Sequence, residues 1–425
     1  MDAAIPTIAR AVAGRRGKLL YLDGLRGVAA LMVVFWHFSA TFMPFLNAKS
    51  LFPKSGLMHV AVNYGFSVFY NGNFAVCIFF VLSGYVLTQG FFRSGNGVEL
   101  GRKAIGRYVR LAPPILVGSL ICAVLIYFDL YSNGMVHQIV GSGDADYKLN
   151  RGILALNPSG FLYEVLIRDF LVNDDAHLLN PAFWTMEIEF RGSLLVFAVA
   201  FLVYRAAQAL GPARLRGRIS EETFLFLTIN LLGLLLVLST HVRGLYFWNM
   251  LIGVAFAAIG PVRSLSRLAW IPLLALALFL GGDNGGLAYG HINPALNLLC
   301  PGNGVQVAHV IGASLLLLVI LGNETLQAVL SKSICRFLGR VSFSLYILHG
   351  PIIYALACGL FLKLYSHLPF GLLVAGLFVM TVSFALLAAS LMSRFIDEPA
   401  VKWSRSFGRW GAARLFPSEP VTSSF

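Results

Sequence analysis

The chain has 425 residues, of which 58% are hydrophobic and only 12% charged, and its net charge is +13. Soluble globular domains carry about twice this share of charged residues, so the composition excludes that class, and the apolar content excludes a disordered chain. Five cysteines are too few for a disulfide scaffold. The class that remains is a polytopic membrane protein.

The basic residues alternate with apolar runs instead of clustering in one domain, which indicates membrane lipids and not nucleic acid as a partner. We expect a basic cytoplasmic N-terminal segment (1–20), a membrane domain (21–395) and a basic cytoplasmic tail (396–425). No cleavable signal peptide is apparent, so the first apolar run is predicted to remain as a helix. The cysteines are interpreted as structural, and no metal site is expected.

Apolar stretches close to the roughly 20 residues that cross a bilayer recur along the chain. They predict an all-α, polytopic bundle of about ten transmembrane helices, near residues 27–45, 74–92, 111–131, 190–206, 223–240, 245–260, 268–282, 305–322, 341–362 and 371–392. The spans between 245 and 282 are short and closely spaced, and a re-entrant pair is the alternative there.

The distribution of basic residues predicts the orientation of this bundle. With both termini in the cytoplasm, most of the 32 lysines and arginines fall in inner segments, as the positive-inside rule requires. The longest outer segment, about 132–186, is acidic with apolar patches, so we expect a partly ordered cap over the outer mouth. The protein is predicted to lie in the plasma or inner membrane if its source is bacterial.

The first span carries two ionisable residues, Arg26 and His37. Such residues are costly in a bilayer and therefore mark a candidate site. Their spacing of 11 residues is about 20° from three full helical turns, so both lie on one face, about 16 Å apart along the axis. The structural alternatives are an Arg26 that snorkels to the headgroups and a His37 that makes an interhelical hydrogen bond.

The second span carries Ser83, Gly84 and Tyr85 near its middle. Small residues at this depth let helices approach closely, so packing explains them at least as well as chemistry does. The basic cluster that follows includes Arg107 and Arg110. It indicates topology and contact with lipid headgroups, and a docking site for a phosphorylated cytosolic ligand is the alternative.

The fourth span opens with Trp184, which suits the aromatic belt of a membrane interface. Glu187 is spaced to pair with Arg191 one helical turn later. Glu189 points elsewhere and has no cation near it in the sequence. This carboxylate at the outer mouth of the bundle is a functional candidate, and Glu187 is the alternative.

The ninth span places Ser342, Tyr346 and His349 on one stripe of a helix. Gly350 and Pro351 follow at once, and the proline is expected to disturb the helix and to free backbone groups beside the histidine. His349 is therefore a second candidate for the site. The alternative is a core histidine that only stabilises the kink.

Six segments together resemble the integral-membrane acyltransferase-3 family, in the same order and over nearly the whole chain. They are LDGLRGVAALMVVFWH, FFVLSGYVL, RYVRLAPP, WTMEIE, FLGRVSFSLYILHGP and FIDEP. Members of that family transfer acyl groups, commonly acetyl from acetyl-CoA, to hydroxyls of surface polysaccharides, lipids, peptidoglycan or small glycosylated molecules. Two departures, Thr185-Met186 in place of Ser-Leu and Phe-Arg-Gly-Ser after Glu189, are similar to the branch with fungal members and leave the acceptor open.

The resemblance implies a membrane O-acyltransferase that uses acyl-CoA, usually acetyl-CoA, as donor and holds no bound cofactor. It makes His37 the catalytic base and Arg26 a contact to the CoA donor, and it implicates Glu189 with Arg107 or Arg110. The acceptor is then a hydroxyl-bearing glycan, lipid or glycoside. The remaining candidates are His349 for catalysis, and Asp23, Ser83, Tyr85 and Trp184 for substrate binding.

The residues agree with that chemistry. An imidazole can remove the proton of a hydroxyl that attacks a thioester, and cations at the inner end suit the phosphates of CoA. No acyl-enzyme nucleophile is evident, so direct transfer is the simpler hypothesis. The alternative function is a proton-coupled transporter with a relay of His37, His349 and Glu189, although no duplicated half accompanies it in the sequence.

Overall fold

The structure, a computed structural model, describes residues 19–47, 54–141, 157–172, 179–215, 220–240, 242–262 and 264–415. Within these ranges the chain forms helices and no strands, which confirms the predicted all-α fold. The α-helices are α1 (Leu20–Phe42), α2 (Gly56–Asn63), α3 (Gly72–Ser94), α4 (Gly97–Tyr127), α5 (Asn133–Val140), α6 (Pro158–Tyr163), α7 (Asp169–Leu171), α8 (Trp184–Leu215), α9 (Glu221–Thr240), α10 (Val242–Ala258), α11 (Arg267–Gly281), α12 (Ile292–Leu296), α13 (Gly304–Leu321), α14 (Glu324–Leu330), α15 (Ser333–Pro351), α16 (Cys358–Leu364), α17 (Phe370–Met392) and α18 (Glu398–Leu415).

Three π-helical segments join some of these helices: Glu164–Arg168 before α7, Ile352–Ala357 between α15 and α16, and Ser393–Asp397 between α17 and α18. Short 3₁₀ turns occur at Pro44–Leu46, Phe66–Tyr70, Pro181–Phe183 and Leu287–Tyr289. The π segments keep α15 continuous with α16, and α17 continuous with α18. Each pair is therefore one continuous helical element.

Eight helical elements of the described part are long and apolar enough to cross a membrane: α1, α3, α4, α8, α9, α13, α15 with α16, and α17 with α18. The apolar helices α10 and α11 are shorter, with 17 and 15 residues. Each of the ten spans predicted from hydropathy falls on one of these ten elements. The polytopic bundle is thus confirmed, and the two short helices are the spans that the sequence left least certain.

Some sequence predictions fall outside the described residues. The basic N-terminal segment is described only from residue 19 and the C-terminal tail only to residue 415. The predicted outer cap is described in part, as α5, α6, α7 and the turn before α8, while residues 142–156 and 173–178 lie outside. The division of the chain into three segments stays a prediction.

Glycines bring α1 and α15 into close contact. A methyl group added at Gly27 would overlap the backbone of Leu338 and Gly339, and one added at Gly339 would overlap the carbonyl of Asp23. Small residues at a crossing allow this approach of two backbones. The contact sets the helix of Arg26 and His37 against the helix of His349.

A second glycine contact joins α3 to α10. A methyl group at Gly84 would overlap the carbonyl of Met250, and one at Gly253 would overlap the carbonyl of Val81. The close packing predicted at this position of the second span is confirmed. Tyr85 beside it is only 5% exposed and belongs to the apolar core.

A third contact holds α18 against the start of α4. A methyl group at Gly106 would overlap the carbonyl of Ser404, and one at Gly408 would overlap the carbonyl of Arg102. The described part of the basic C-terminal segment is therefore a packed helix. Its position brings Asp397, at the end of the preceding π segment, beside α4.

Candidate active site

Two histidines from distant parts of the chain meet between α1 and α15. The ring centroids of His37 and His349 are 4.8 Å apart, with the planes tilted by 47°. His349 is completely buried, while His37 keeps part of its surface exposed. The sequence offered these residues as two separate candidates, and the fold places them in one pair.

The proline after His349 sets the local backbone. Pro351 has no N–H, so the carbonyl of Ile347 loses its helical donor. The side chain of Asn180 replaces that donor, with Nδ2 at 2.7 Å from the oxygen of Ile347. The helix then continues as the π segment Ile352–Ala357. The disturbance predicted beside the histidine is confirmed, and Asn180 is a residue of the site that sequence reasoning missed.

The hydrogen bonds of His349 assign its proton. Nδ1 lies 3.3 Å from the carbonyl oxygen of Leu345, which can only accept. Nδ1 therefore donates, and Nε2 is left as the acceptor nitrogen. Among the described residues, Nε2 has no hydrogen-bond partner although it is buried. A buried acceptor without a partner is unusual and suits a group that handles a proton.

The hydroxyls of Tyr346 and Thr185 join the histidine pair to the start of α8. Tyr346 lies one turn before His349, with ring centroids 5.8 Å apart. Its hydroxyl is 2.9 Å from Thr185 Oγ1 and donates to the carbonyl of Ala182 at 3.1 Å. Thr185 Oγ1 lies 3.0 Å from the same carbonyl oxygen, and since each hydroxyl carries one proton, two hydrogen bonds join these three oxygens. Threonine keeps the hydroxyl that the usual serine would supply, so this departure from the family pattern preserves the contact.

We expect Thr185→Ser to retain the stability and activity of the protein, because the bond to Tyr346 needs only the hydroxyl. Thr185→Val keeps the shape but removes the hydroxyl, and it should lower the free energy of unfolding by about 1 kcal/mol. Titration of both variants with a denaturing detergent, followed by tryptophan fluorescence, measures the difference. Equal losses in the two variants would show that the hydroxyl contact contributes nothing.

Glu189 lies at the centre of a polar cluster between α3, α4 and α8. Arg107 donates from Nη2 to its carboxylate, and Ser83 Oγ donates at 2.9 Å to Oε1. Arg107 Nε also donates to Ser193 Oγ at 3.0 Å. The side chains of Arg107 and Glu189 are 13% and 15% exposed. Glu189 has no cation near it in the sequence, and the structure supplies its partner from 82 residues away in the chain.

This pairing also corrects the expected depth of the two groups. The sequence placed Glu189 at the outer mouth and Arg107 in an inner basic cluster. Both are in fact inside the bundle, since Arg107 lies about 15 Å along α4 and Glu189 about 8 Å along α8. The ion pair between them holds these two positions at a common level.

The other two predicted arginines lie near this cluster. Arg110 donates to Asp397 and stacks on Phe343, with Cζ 5.0 Å from the ring centroid. Arg26 is 3.7 Å from Asp23, and both side chains are about a quarter to a third exposed. Arg110 lies one turn after Arg107 on α4, so these two arginines share one region. Of the ion pairs made by the three arginines, the one between Arg26 and Asp23 has the longest N–O distance.

Aromatic contacts connect the two parts of the site. The ring of Phe79 lies 5.8 Å from the ring of Tyr346, and Ser83 follows Phe79 one turn later on α3. The site thus runs from the histidine pair, through Tyr346, to the cluster around Glu189. The structure brings together most of the predicted site residues, and it leaves Tyr85 in the core.

The predicted pair of Glu187 and Arg191 is confirmed as an ion pair, separate from the Glu189 cluster. Trp184, expected in an interfacial belt, packs against Tyr246 at 5.4 Å between ring centroids, and Tyr246 donates to Asn73 at 2.8 Å.

All five cysteines are free thiols. In the ranges that the structure describes, no group of three or more His, Cys, Asp or Glu residues is arranged to hold a metal ion.

Comparison with known proteins gives one family, two relatives and no solved structure. A family model described as acyltransferase domain, of the acyltransferase-3 type, matches residues 19–390. The O-acetyltransferase PaAT-1 of Phomopsis amygdali is 25% identical over 458 residues, which cover 95% of this chain and 87% of that protein. Protein 2 in picA locus of Rhizobium radiobacter is 27% identical over 207 residues, or 45% of this chain and 95% of that protein. No solved structure matches.

Proposed function

The chain belongs to the acyltransferase-3 family and is a transferase, and from this premise we propose that it transfers an acyl group, most simply acetyl, from acyl-CoA to a hydroxyl of a carbohydrate, a glycolipid or a glycosylated small molecule. The observation that carries the proposal is the histidine pair, with partly exposed His37 beside buried His349. The less buried of the two rings, that of His37, is the one that we assign to the substrate, and the other is held in place by the fold.

His37 acts as the general base of the proposed reaction. It takes the proton of the acceptor hydroxyl while the oxygen attacks the thioester carbonyl. The tetrahedral intermediate then releases the sulfur of CoA, which leaves with the proton from His37, and the acyl ester remains on the acceptor. His349, with an acceptor nitrogen in a ring 4.8 Å away, stabilises the imidazolium that forms on His37.

The Glu189 cluster supports this centre as a positioning element. Arg107 is engaged with Glu189 and Ser193, and Arg110 is engaged with Asp397. These two guanidinium groups therefore have fewer donors to offer a phosphate than Arg26 has. The long, partly exposed pair with Asp23 makes Arg26 the arginine best placed to bind the donor.

We expect Arg26→Lys to keep partial activity with weaker donor affinity, because a cation remains but the guanidinium fork is lost. Arg26→Ala removes the cation and should weaken acyl-CoA binding by about tenfold or more, as loss of a charge-assisted contact does. Calorimetric titration with acyl-CoA measures both variants. Arg205→Ala, at an exposed arginine of α8, is the control and should bind normally. Unchanged donor affinity in Arg26→Ala would remove this residue from the donor site.

The acceptor is proposed to enter at the opposite end, beside Trp184. This residue begins α8, and the chain reaches Glu189 about 8 Å further along the helix. A half-buried indole next to Tyr246 and Asn73 offers an aromatic face and polar groups, which suit a hydroxylated ligand. We therefore expect the departures from the family pattern in this segment, Thr185-Met186 and the residues after Glu189, to determine which acceptor is preferred.

Both termini are proposed to be cytoplasmic, so that donor and acceptor reach the site from opposite sides of the membrane. A reporter enzyme that is active only in the cytosol, fused after Arg414, should be active. A second fusion, in the outer segment at residue 141, should be inactive. The reverse pattern would overturn the orientation.

The proposed function is tested with purified protein in detergent and acetyl-CoA labelled in the acetyl group. Incubation with a mixture of hydroxylated acceptors should release free CoA and place the label in an ester. A proton-coupled transporter would leave the thioester intact. That outcome, with protein that still binds acyl-CoA, would refute the transfer reaction.

A further inference from the structure

An open apolar groove lies between α4, the segment from Leu348 to Lys363, and α17. Its volume is about 880 Å³. The walls include Val117 and Leu125 of α4, Ile352 and Leu356 of the π segment, and Phe384 and Leu391 of α17. Its lining contains none of the proposed site residues.

The walls indicate what fills the groove. Helices elsewhere in the bundle approach until glycines touch backbone, so a gap of this size is not the general packing of the protein. Water is not stabilised between walls of leucine, isoleucine and phenylalanine, because these side chains offer it few hydrogen-bond partners. Since these helices span the membrane, hydrocarbon is the medium available to the groove.

The wall that α4 contributes to the groove is close in length to one leaflet of a bilayer. From Val117 to the end of α4 at Tyr127 the helix rises about 15 Å. Half of the hydrocarbon core of a bilayer is also about 15 Å thick. One extended lipid chain therefore fits along this wall, with its headgroup at the end of α4.

Polar residues stand at that end of the groove. Its rim contains the carboxylate of Asp129, the hydroxyl of Ser132 and the exposed ammonium of Lys363. A cation suits a phosphate, and a carboxylate suits an amine, so the rim complements a headgroup that carries both charges. We infer that the groove is a binding site for one hydrocarbon chain of a zwitterionic phospholipid, with its phosphate at Lys363 and its amine at Asp129.

The bound chain would support the backbone that carries His349. Leu348, Pro351 and Ile352 all line the groove, and they flank His349 on both sides. The wall continues along the π segment, a form of helix that is frequent at functional sites. Lipid in the groove thus stabilises the kinked part of α15, and this role does not depend on the proposed transfer reaction.

Two glycines offer a matched test of the site. Gly359 lines the groove, and a methyl group added there meets nothing within 4 Å. Gly376 of α17 also has open space, but it lies outside the groove. Gly359→Leu should fill the site, whereas Gly376→Leu should leave it open. Ala388→Phe fills it from the opposite wall and replaces Gly359→Leu if that variant does not fold.

The full chain is reconstituted in nanodiscs of phosphatidylcholine with traces of a phosphatidylethanolamine that carries a photoreactive acyl chain. Wild type and Gly376→Leu should crosslink within the wall peptides, and the filled variants should bind this lipid at least about tenfold more weakly. Lys363→Gln should weaken binding about fivefold, as expected for an exposed charge pair. Phosphatidylglycerol, which lacks the amine, should compete poorly.

Equal labelling of the wall peptides in wild type and in the folded, filled variants would refute the site. If neither Lys363→Gln nor the choice of competing headgroup changed the labelling, the assignment of the rim residues to a zwitterionic headgroup would be refuted. Failure of acyl transfer would not affect either result, because the readout is lipid binding. Failure of lipid binding in an active enzyme would leave the proposed function intact.

Discussion

His37→Ala is expected to lose nearly all acyl transfer while it still binds acyl-CoA. A general base contributes roughly 10²–10⁴-fold to the rate, because it acts on the proton that moves in the transition state. Donor binding does not use that proton, so the affinity should stay close to that of wild type. The partly exposed position of His37 beside His349 is the structural reason for this separation. Single-turnover transfer at saturating donor measures the loss.

His349→Ala gives the comparison for that result. If His349 only stabilises the charged form of His37, its removal should lower the rate less than His37→Ala does. The double variant should then be no slower than His37→Ala, since two residues that act as one unit are not additive. Residual chemistry in His37→Ala together with complete loss in His349→Ala would exchange the two roles.

Arg107→Ala is expected to have the largest effect on stability. It leaves the carboxylate of Glu189 inside the bundle with Ser83 as its remaining donor. Removal of one partner from a buried ion pair costs about 3 kcal/mol or more, because the other charge stays desolvated. The free energy of unfolding, measured by titration with a denaturing detergent, should fall by that amount. Glu99→Ala is the control, because it breaks the more exposed pair with Lys103 and should cost at most about 1 kcal/mol.

A double variant shows whether the charge causes the loss. In Arg107→Ala with Glu189→Gln, no uncompensated charge remains, so part of the stability should return. Transfer should stay low, because the cluster no longer positions the site through Ser83 and Tyr346. A double variant as unstable as Arg107→Ala alone would indicate that lost packing of the arginine, and not the carboxylate charge, is responsible.

The sequence predicts the helices of this fold well because hydropathy is a local property. Ten apolar stretches gave ten helical elements, and the spans with least support became the short helices α10 and α11. The disturbance after His349 was also predictable, since it depends on one proline and the carbonyl four residues before it. Its consequence, the bond from Asn180, was not, because that partner lies 167 residues away.

In the candidate site, contacts between residues distant in the chain were even harder to predict from the sequence. Glu189 was recognised as a functional carboxylate at the mouth of the bundle, but its partner Arg107 belongs to another helix, and contacts between helices cannot be read from one segment. Thr185 was noted only as a departure from a family pattern, and the structure shows that its hydroxyl contacts Tyr346. The groove could not be predicted at all, because its walls come from three separate elements whose residues are ordinary apolar residues of membrane helices.

The role of His37 as general base is tested by a comparison of donor binding and acyl transfer in His37→Ala. Calorimetry with acyl-CoA gives the affinity, and rapid mixing of saturating labelled acetyl-CoA with an acceptor gives the single-turnover rate. We predict a dissociation constant close to that of wild type and a rate lower by at least about 100-fold. Loss of acyl-CoA binding, with substantial transfer remaining at saturating donor, would contradict the assignment of His37 as the base.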